Sequence, residues 1–165
     1  MQDEQAIMEI YNRHGDALYR LCYFFMGNPT DALDAVQNTL VRLMEYRGSF
    51  ESEAHEKNWL LKVGANECKM MLRHWWRRIV SIDSVPETAD WEEDYERNPV
   101  LQQVMELPPK YRVPIYMYYY EGYSVAEISK MLRIREATIR SQMKRGRKLL
   151  KDSLEESGVV QTGKT

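Results

Sequence analysis

The stretch 123–150, YSVAEISKMLRIREATIRSQMKRGRKLL, limits what this chain can fold into more than any other part of it. Ser124 and Glu127 have the spacing of a capping box, and Tyr123 and Ile128 flank it as a hydrophobic staple, so a helix is predicted to start there. Ile128, Met131 and Leu132 form its apolar face. After Arg133-Ile134-Arg135 the pattern resumes with Ile139, Met143, Gly146 and Leu150, at steps of four, three and four. That is the spacing of a buried helix face, and it predicts a second helix from about Glu136 to Lys151. Its opposite face carries Arg140, Ser141, Lys144 and Lys148, with Arg145 beside them. A helix, a three-residue turn and a second helix with a basic outer face are the parts of a DNA-reading helix-turn-helix. The turn holds no glycine. Arg133 stands where one often supplies φ > 0, so the turn must take another geometry or accept strain.

The competing reading of this stretch is a helical hairpin with a solvated charged face. Charge bias opposes it. Lys130, Arg133, Arg135, Arg140, Lys144, Arg145, Arg147, Lys148 and Lys151 face only Glu127 and Glu136 as acids. A solvated face mixes both signs, whereas a phosphate-binding face does not. The whole chain hides this bias, because its 165 residues carry a net charge of −2 and acid elsewhere balances the basic helix. With 44% hydrophobic and 29% charged residues the composition is that of a globular protein, one medium domain or two small ones. Cys22 and Cys68 form no CxxC and have no clustered histidines, which signals neither a zinc site nor a disulfide framework. They read as small core residues of a reducing compartment. The acidic start, MQDEQAIMEI, has neither the basic nor the apolar region of a signal peptide. No apolar run approaches the ~18 residues of a membrane span, so a cytoplasmic protein is expected.

Helical spacing of Ile7, Ile10, Tyr11, Leu18, Leu21, Cys22 and Phe25 predicts a first helix over 3–26, which Gly27-Asn28-Pro29 ends while opening the next. Residues 30–47 follow with Leu33, Val36, Leu40, Leu43 and Met44 inward, and Asp31, Asp34, Gln37, Asn38 and Arg42 outward. An acidic loop is expected over 48–58, then a long helix from Trp59 to Ile79. That helix has an apolar stripe (Leu61, Ala65, Cys68, Leu72, Trp76, Ile79) and a polar, basic one (Lys62, Asn66, Lys69, Arg73, Arg77). Its end interleaves Trp75 and Trp76 with arginines, which suits single-stranded or distorted nucleic acid; arginines snorkelling over core tryptophans is the plainer alternative. The segment 81–99 has no helical period and is strongly acidic, as a linker between two helical domains would be. Val100, Leu101, Val104 and Met105 begin the second domain. Leu107-Pro108-Pro109 interrupts it, and Pro114 is expected to kink or delay the next segment, 110–121. Gly122 ends that segment before the capping box. The tail from Glu156 is expected to fray.

Two blocks in this order, DALDAVQNTLVRLMEY with NWLLKVGANECKMML, and LPPKYRVPIYMYYYEGYSVAEISKMLRIREATIRSQMKRGRKLL, resemble domains two and four of bacterial sigma-70 factors of the extracytoplasmic-function group. The resemblance covers roughly residues 5–152. It implies an all-α chain of two small helical domains: 1–80 as sigma domain two, an acidic linker at 81–99, 100–155 as sigma domain four with the helix-turn-helix, and a disordered tail at 156–165. It implies core RNA polymerase and promoter DNA as partners, allows an anti-sigma factor, and makes the chain a promoter-specificity subunit, not an enzyme. Asp31, Asp34, Gln37 and Asn38 fall on the helix that in the family docks on the polymerase clamp. Phe50, Lys62, Asn66, Lys69, Arg73 and Arg77 fall where the family melts and reads the −10 element. Glu136, Arg140, Ser141, Lys144, Arg145, Arg147 and Lys148 fall on the helix that reads the −35 element. Leu33 stands where the family usually has Glu, the 51–56 loop is acidic for a DNA-facing segment, and Arg133 replaces the usual turn glycine.

The residues themselves support no reaction: there is no nucleophile–base pair, no metal cluster and no phosphate-binding glycine loop, so no cofactor is expected. A free-standing helix-turn-helix regulator would need a sensor or dimerisation domain, which residues 1–80 do not resemble. A helical adaptor with a basic face for an acidic partner is the third possibility; a salt titration of duplex binding separates it.

Overall fold

Turn chemistry between apolar stretches divides the chain into helices. The computed structural model describes residues 3–78, 98–156 and 158, which fall into two compact units, one on either side of residues 79–97. Seven helices are found among the described residues, and no strand. In the first unit α1 spans Glu4–Met26, α2 Pro29–Glu45 and α3 Glu53–Arg78. The Asp3 carboxylate caps α1 by accepting from the Ala6 amide at 2.7 Å. Gly27 then takes the left-handed conformation (φ 81°) that a side chain would disfavour. Asn28 caps α2 by accepting from the Asp31 amide at 2.9 Å, and Pro29 occupies the first turn, as its missing N–H permits.

The three helices of this unit pack mutually. Ile10, Leu18, Leu21, Cys22 and Phe25 of α1 are buried as the spacing predicts, but so are Tyr23, Phe24 and Met26, because the end of α1 is enclosed on every side. Tyr11 is exposed instead, its ring lying over Gly15. On α2 the expected inward face is rotated. Ala32, Ala35, Val36, Thr39 and Leu43 are buried, while Leu33 and Met44 are exposed. Small residues at 32, 35 and 39 let α2 approach its neighbours closely, which the larger Leu33 and Met44 would prevent. A Cβ on Gly64 would stand 2.6 Å from Leu18 Cδ1, so α3 crosses α1 at a glycine.

The third helix starts at Glu53, six residues before Trp59, and this overturns the expected loop over 48–58. Ser52 accepts from the His55 amide at 3.1 Å, and Glu53 and Glu56 lie in the first turn, where the helix dipole favours acids. The acidity read as a property of a loop therefore belongs to a helix N-terminus. Residues 74–78 continue α3, but the side chains of Trp75, Trp76 and Arg77 lie outside the described residues, as do Ile79, the stretch 79–97 of the expected linker and most of the tail.

In the second unit α4 spans Pro99–Glu106, α5 Pro109–Tyr119, α6 Val125–Leu132 and α7 Glu136–Glu156. Asn98 and Pro99, expected in the linker, instead begin this unit: Asn98 accepts from the Val100 and Leu101 amides at 3.1 Å. Pro114 lies inside α5, which runs through it from Pro109, so the proline does not delay the helix. Arg112 is buried and donates from Nη1 to the Met105 and Leu107 carbonyls, both at 3.1 Å, satisfying carbonyls at the end of α4. A Cβ on Gly146 would meet Ile115 Cδ1 at 2.6 Å and Tyr111 Cβ at 3.1 Å, which lets α7 lie against α5. The last helix reaches Glu156, five residues beyond the expected end, because Leu154 continues the buried stripe of Ile139, Met143 and Gly146.

Candidate nucleic-acid interface

The helix-turn-helix forms where the sequence places it. Ser124 accepts from the Glu127 amide and Glu127 Oε1 accepts from the Ser124 amide, each at 3.1 Å, completing the capping box. Tyr123 and Ile128 are both buried. Burial, with Glu121 and Glu127 nearby, pushes the Tyr123 phenol up to about 12. The turn without glycine is made by Arg133 in the left-handed region, φ 56° and ψ 44°. The Ile134 amide returns to the Ser129 carbonyl at 3.2 Å, and Ser129 Oγ donates to the Ile134 carbonyl, so local hydrogen bonds hold a backbone that costs a non-glycine residue about 1 kcal/mol.

The capping box also makes a pH prediction. Hydrogen bonds from Ser124 hold the Glu127 carboxyl below its ordinary range, with Lys130 adding to the effect. A carboxyl lowered in the folded state adds stability above its unfolded pKa and loses it as pH falls through the folded value. Urea unfolding should therefore show Ser124→Ala costing about 1 kcal/mol at neutral pH, and Glu127→Gln converging with wild type in acid below the ordinary carboxylate range. A Glu127→Gln deficit that persists unchanged into acid rules out this role for the charge.

Ile139, Met143 and Gly146 are buried on α7, and Glu136, Arg140, Ser141, Lys144, Arg145 and Lys148 are exposed. Glu136 lies 3.8 Å from Arg140, one turn away. Arg147 is exposed as well. It lines, with Val100, Val104, Ile115, Leu150 and Lys151, an open apolar groove of about 410 Å³ between α4, α5 and α7. At 100° per residue it lies beside the Ile139–Met143 stripe, not opposite it. On α3, Lys62 and Arg73 are exposed and Asn66 and Lys69 half-buried. The Asn66 amide lies 3.5 Å from the Met70 sulfur. Phe50 belongs to a cluster of rings that joins the loop before α3 to its first turns, stacked on Tyr46 with centroids 5.1 Å apart and edge-on to His55 and Trp59 of α3. His55 Nδ1 accepts from the Glu51 amide at 3.1 Å, so the short loop 46–52 is held by rings and a hydrogen bond.

On α2, Asp34, Gln37 and Asn38 are exposed, whereas Asp31 is half-buried and accepts from Asn28 Nδ2 at 2.8 Å. Asn38 also reaches across to the Met71 sulfur at 3.8 Å. The exposed apolar residues Leu33, Val41 and Met44 line up with Gln37 at steps of four, four and three, making one stripe beside Asp34 and Asn38. Sequence reasoning missed two buried acids. Glu56 accepts from Arg13 Nε at 2.9 Å and Nη2 at 3.1 Å and lies 2.9 Å from His14 Nε2. Glu67 accepts from Arg42 Nε at 3.0 Å, which raises the guanidinium further above its ordinary value. The signal was present in the register: Glu56, Leu60, Gly64 and Glu67 fall at steps of four, four and three, all inward.

Two families match the chain, "Sigma-70 region 2" over residues 10–78 and "Sigma-70, region 4" over 97–150. Similar proteins include the ECF RNA polymerase sigma factor SigE of Mycolicibacterium smegmatis, 30% identical over 92% of this chain. The chain spans only 64% of that relative's length. SigW of Bacillus subtilis is 26% identical over 92% of this chain and 90% of its own length. SigM of Mycobacterium tuberculosis is 29% identical over 98% and 82%. Among solved structures, the sigma factor RpoE in complex with the anti-sigma factor NepR from Bartonella quintana matches with a TM-score of 0.67 and 21% identity, covering 92% of this chain and 96% of that one. At that identity the likeness is one of fold.

Proposed function

The chain belongs to the extracytoplasmic-function group of the sigma-70 family, and from that premise we propose that it is a factor of transcription initiation and not an enzyme, which binds core RNA polymerase through α2 and opens promoters recognised at their −10 and −35 elements. The observation that carries the reading is the face of α7. A buried stripe orients the helix, and Ser141, Lys144, Arg145 and Lys148 stand together on the exposed side, as a helix lying in the major groove requires. Residues 3–78 act as the domain that docks on polymerase and melts the −10 element, with Phe50 shaping the loop and Lys62, Asn66, Lys69 and Arg73 facing DNA. Residues 98–156 read the −35 element. An anti-sigma factor, the partner class of RpoE in its complex with NepR, is the natural regulator of such a chain.

Run-off transcription with core polymerase on a genomic promoter library tests this directly: promoter-dependent transcripts that require the protein are expected, and their absence refutes the reading. A free-standing regulator would bind duplex DNA but start no transcript on core polymerase. In the active complex Asn66→Ala should lower permanganate reactivity of −10 thymines while leaving −35 duplex binding intact, since extruding a base costs a few kcal/mol that pocket contacts must offset.

The two kinds of contact on α7 should separate. Arg140, steadied by Glu136, can fork onto a guanine, worth about 1–3 kcal/mol of discrimination. Lys148 and Arg145 pair with phosphates and set position. Arg140→Ala should flatten preference at one or two −35 positions, and Lys148→Ala should weaken all sequences alike and reduce the salt slope by about one unit. A base-substitution binding matrix in which Arg140→Ala loses equally at every base removes Arg140 from the reading set.

A further inference from the structure

Two side-chain rungs tie α2 to α3. Arg42 Nε lies 3.0 Å from Glu67 Oε1, and Asn38 Nδ2 lies 3.8 Å from the Met71 sulfur. The residues are four apart on each helix and run in opposite directions, so both rungs lie on one face of an antiparallel pair. Glu67 is 6% exposed, while over half of the Arg42 side chain is in water, where Glu45 also holds it at 3.5 Å.

A carboxylate withdrawn from water adds little net stability even when paired, and an apolar side chain at 67 would hold the helices together as well. What a short charged contact adds is direction. Asn66 precedes Glu67 and points about 100° away around α3, so the pair that fixes Glu67 also fixes the heading of Asn66. A rotation of α3 by ~20° would move a side-chain tip at a radius of ~5 Å by nearly 2 Å. That exceeds the ~0.5 Å within which a working contact must be held. On α2, Asn38 and Gln37 lie within about a turn and a half of Arg42, on the helix assigned to polymerase docking.

We propose that Arg42 and Glu67 form a positioning pair for promoter opening, holding the DNA-facing stripe of α3 at a set angle to the polymerase-facing surface of α2. The inference rests on the function proposed above. Polymerase bound through α2 then presents Asn66 to the −10 strand at the angle the pair defines.

Glu67→Gln and Arg42→Lys, in the full chain with core polymerase, are compared with wild type on one promoter in two forms: a complete duplex, and a template whose −10 region is already unpaired by mismatches. Glu67→Gln should initiate about tenfold or more slowly on the duplex, as a displacement of an ångström or more implies. Its affinity for core polymerase should stay within about twofold, and the unpaired template should restore most of the rate. Arg42→Lys keeps the charge and loses the planar fork, so it should fall between Glu67→Gln and wild type. Duplex rates equal to wild type for both variants overturn the proposal. So does an equal loss on both templates, which would make the pair a stability element alone. If Glu67→Gln fails to fold, Arg42→Lys decides by the same criterion. Wild type that starts transcripts on neither template refutes the assigned function instead.

Discussion

Glu56→Ala is expected to cost about 2–3 kcal/mol of stability, the upper part of the range for leaving a buried polar group without its partner. Glu56 joins the start of α3 to the middle of α1, accepting two hydrogen bonds from Arg13 and lying 2.9 Å from His14 Nε2. The loss falls mainly on His14. Arg13 keeps 38% of its side chain in water and can be resolvated, whereas His14, at 9%, would be left in the core without its partner. Glu56→Gln retains an acceptor and most of the shape, so about 1–2 kcal/mol is expected for it. Urea unfolding of the full chain, followed by tryptophan fluorescence and circular dichroism, measures both. A Glu56→Ala loss below about 1 kcal/mol would mean that water replaces the carboxylate and that α3 is anchored by its apolar stripe alone. Because the loop 46–52 leads into this anchor and the cluster residues His55 and Trp59 flank it on α3, promoter opening should weaken with it.

Val41→Asp is expected to weaken binding to core polymerase by about 30-fold or more, a loss of at least about 2 kcal/mol, the size of an interface hot spot. Leu33, Val41 and Met44 each keep nearly half of their surface in water, at 49%, 49% and 48%, on one stripe of α2 with Gln37. Apolar side chains left exposed in a line are what a partner surface covers, and a carboxylate placed among them would be buried without a partner. Asp34 lies at the edge of this stripe and works through charge. Asp34→Lys should act mainly on association rate and salt dependence, as charges at an interface rim do. Both positions face solvent in the free protein, so folding should change by no more than about 0.5 kcal/mol. Titration of labelled protein with core polymerase at two salt concentrations separates them. If Val41→Asp binds as wild type does while Asp34→Lys fails, docking runs through the acidic flank and the apolar stripe has another role.

The two helices of the helix-turn-helix were legible because each relation that makes them is local. Ser124 and Glu127 are three residues apart, and Ile139, Met143 and Gly146 repeat with the helix itself, so neither needs the rest of the molecule. The face of α2 was misread for the opposite reason. Periodicity shows that a helix has two faces, but the larger side chains suggested the wrong one, since close packing here is made by Ala32, Ala35 and Thr39. The start of α3 is hidden in the sequence because acids mark loops and helix N-termini alike, the latter through the helix dipole.

The helical class, the stop of α1 at Gly27, the capping box and the basic side of α7 are set by residues within a turn or two of one another, whereas α5 stops at Tyr119, short of the expected Glu121 and Gly122. Tertiary structure alone decided which surface of α2 is left exposed, that Arg147 lines a groove, and that Glu56 and Glu67 are buried beside Arg13, His14 and Arg42. Each of those pairings spans 25 to 43 residues of chain. An acid in an inward register announces that a partner must exist, since a carboxylate is not buried alone. Which arginine supplies it depends on how the helices cross, and the crossing is set by small residues such as Gly64, where α3 meets α1.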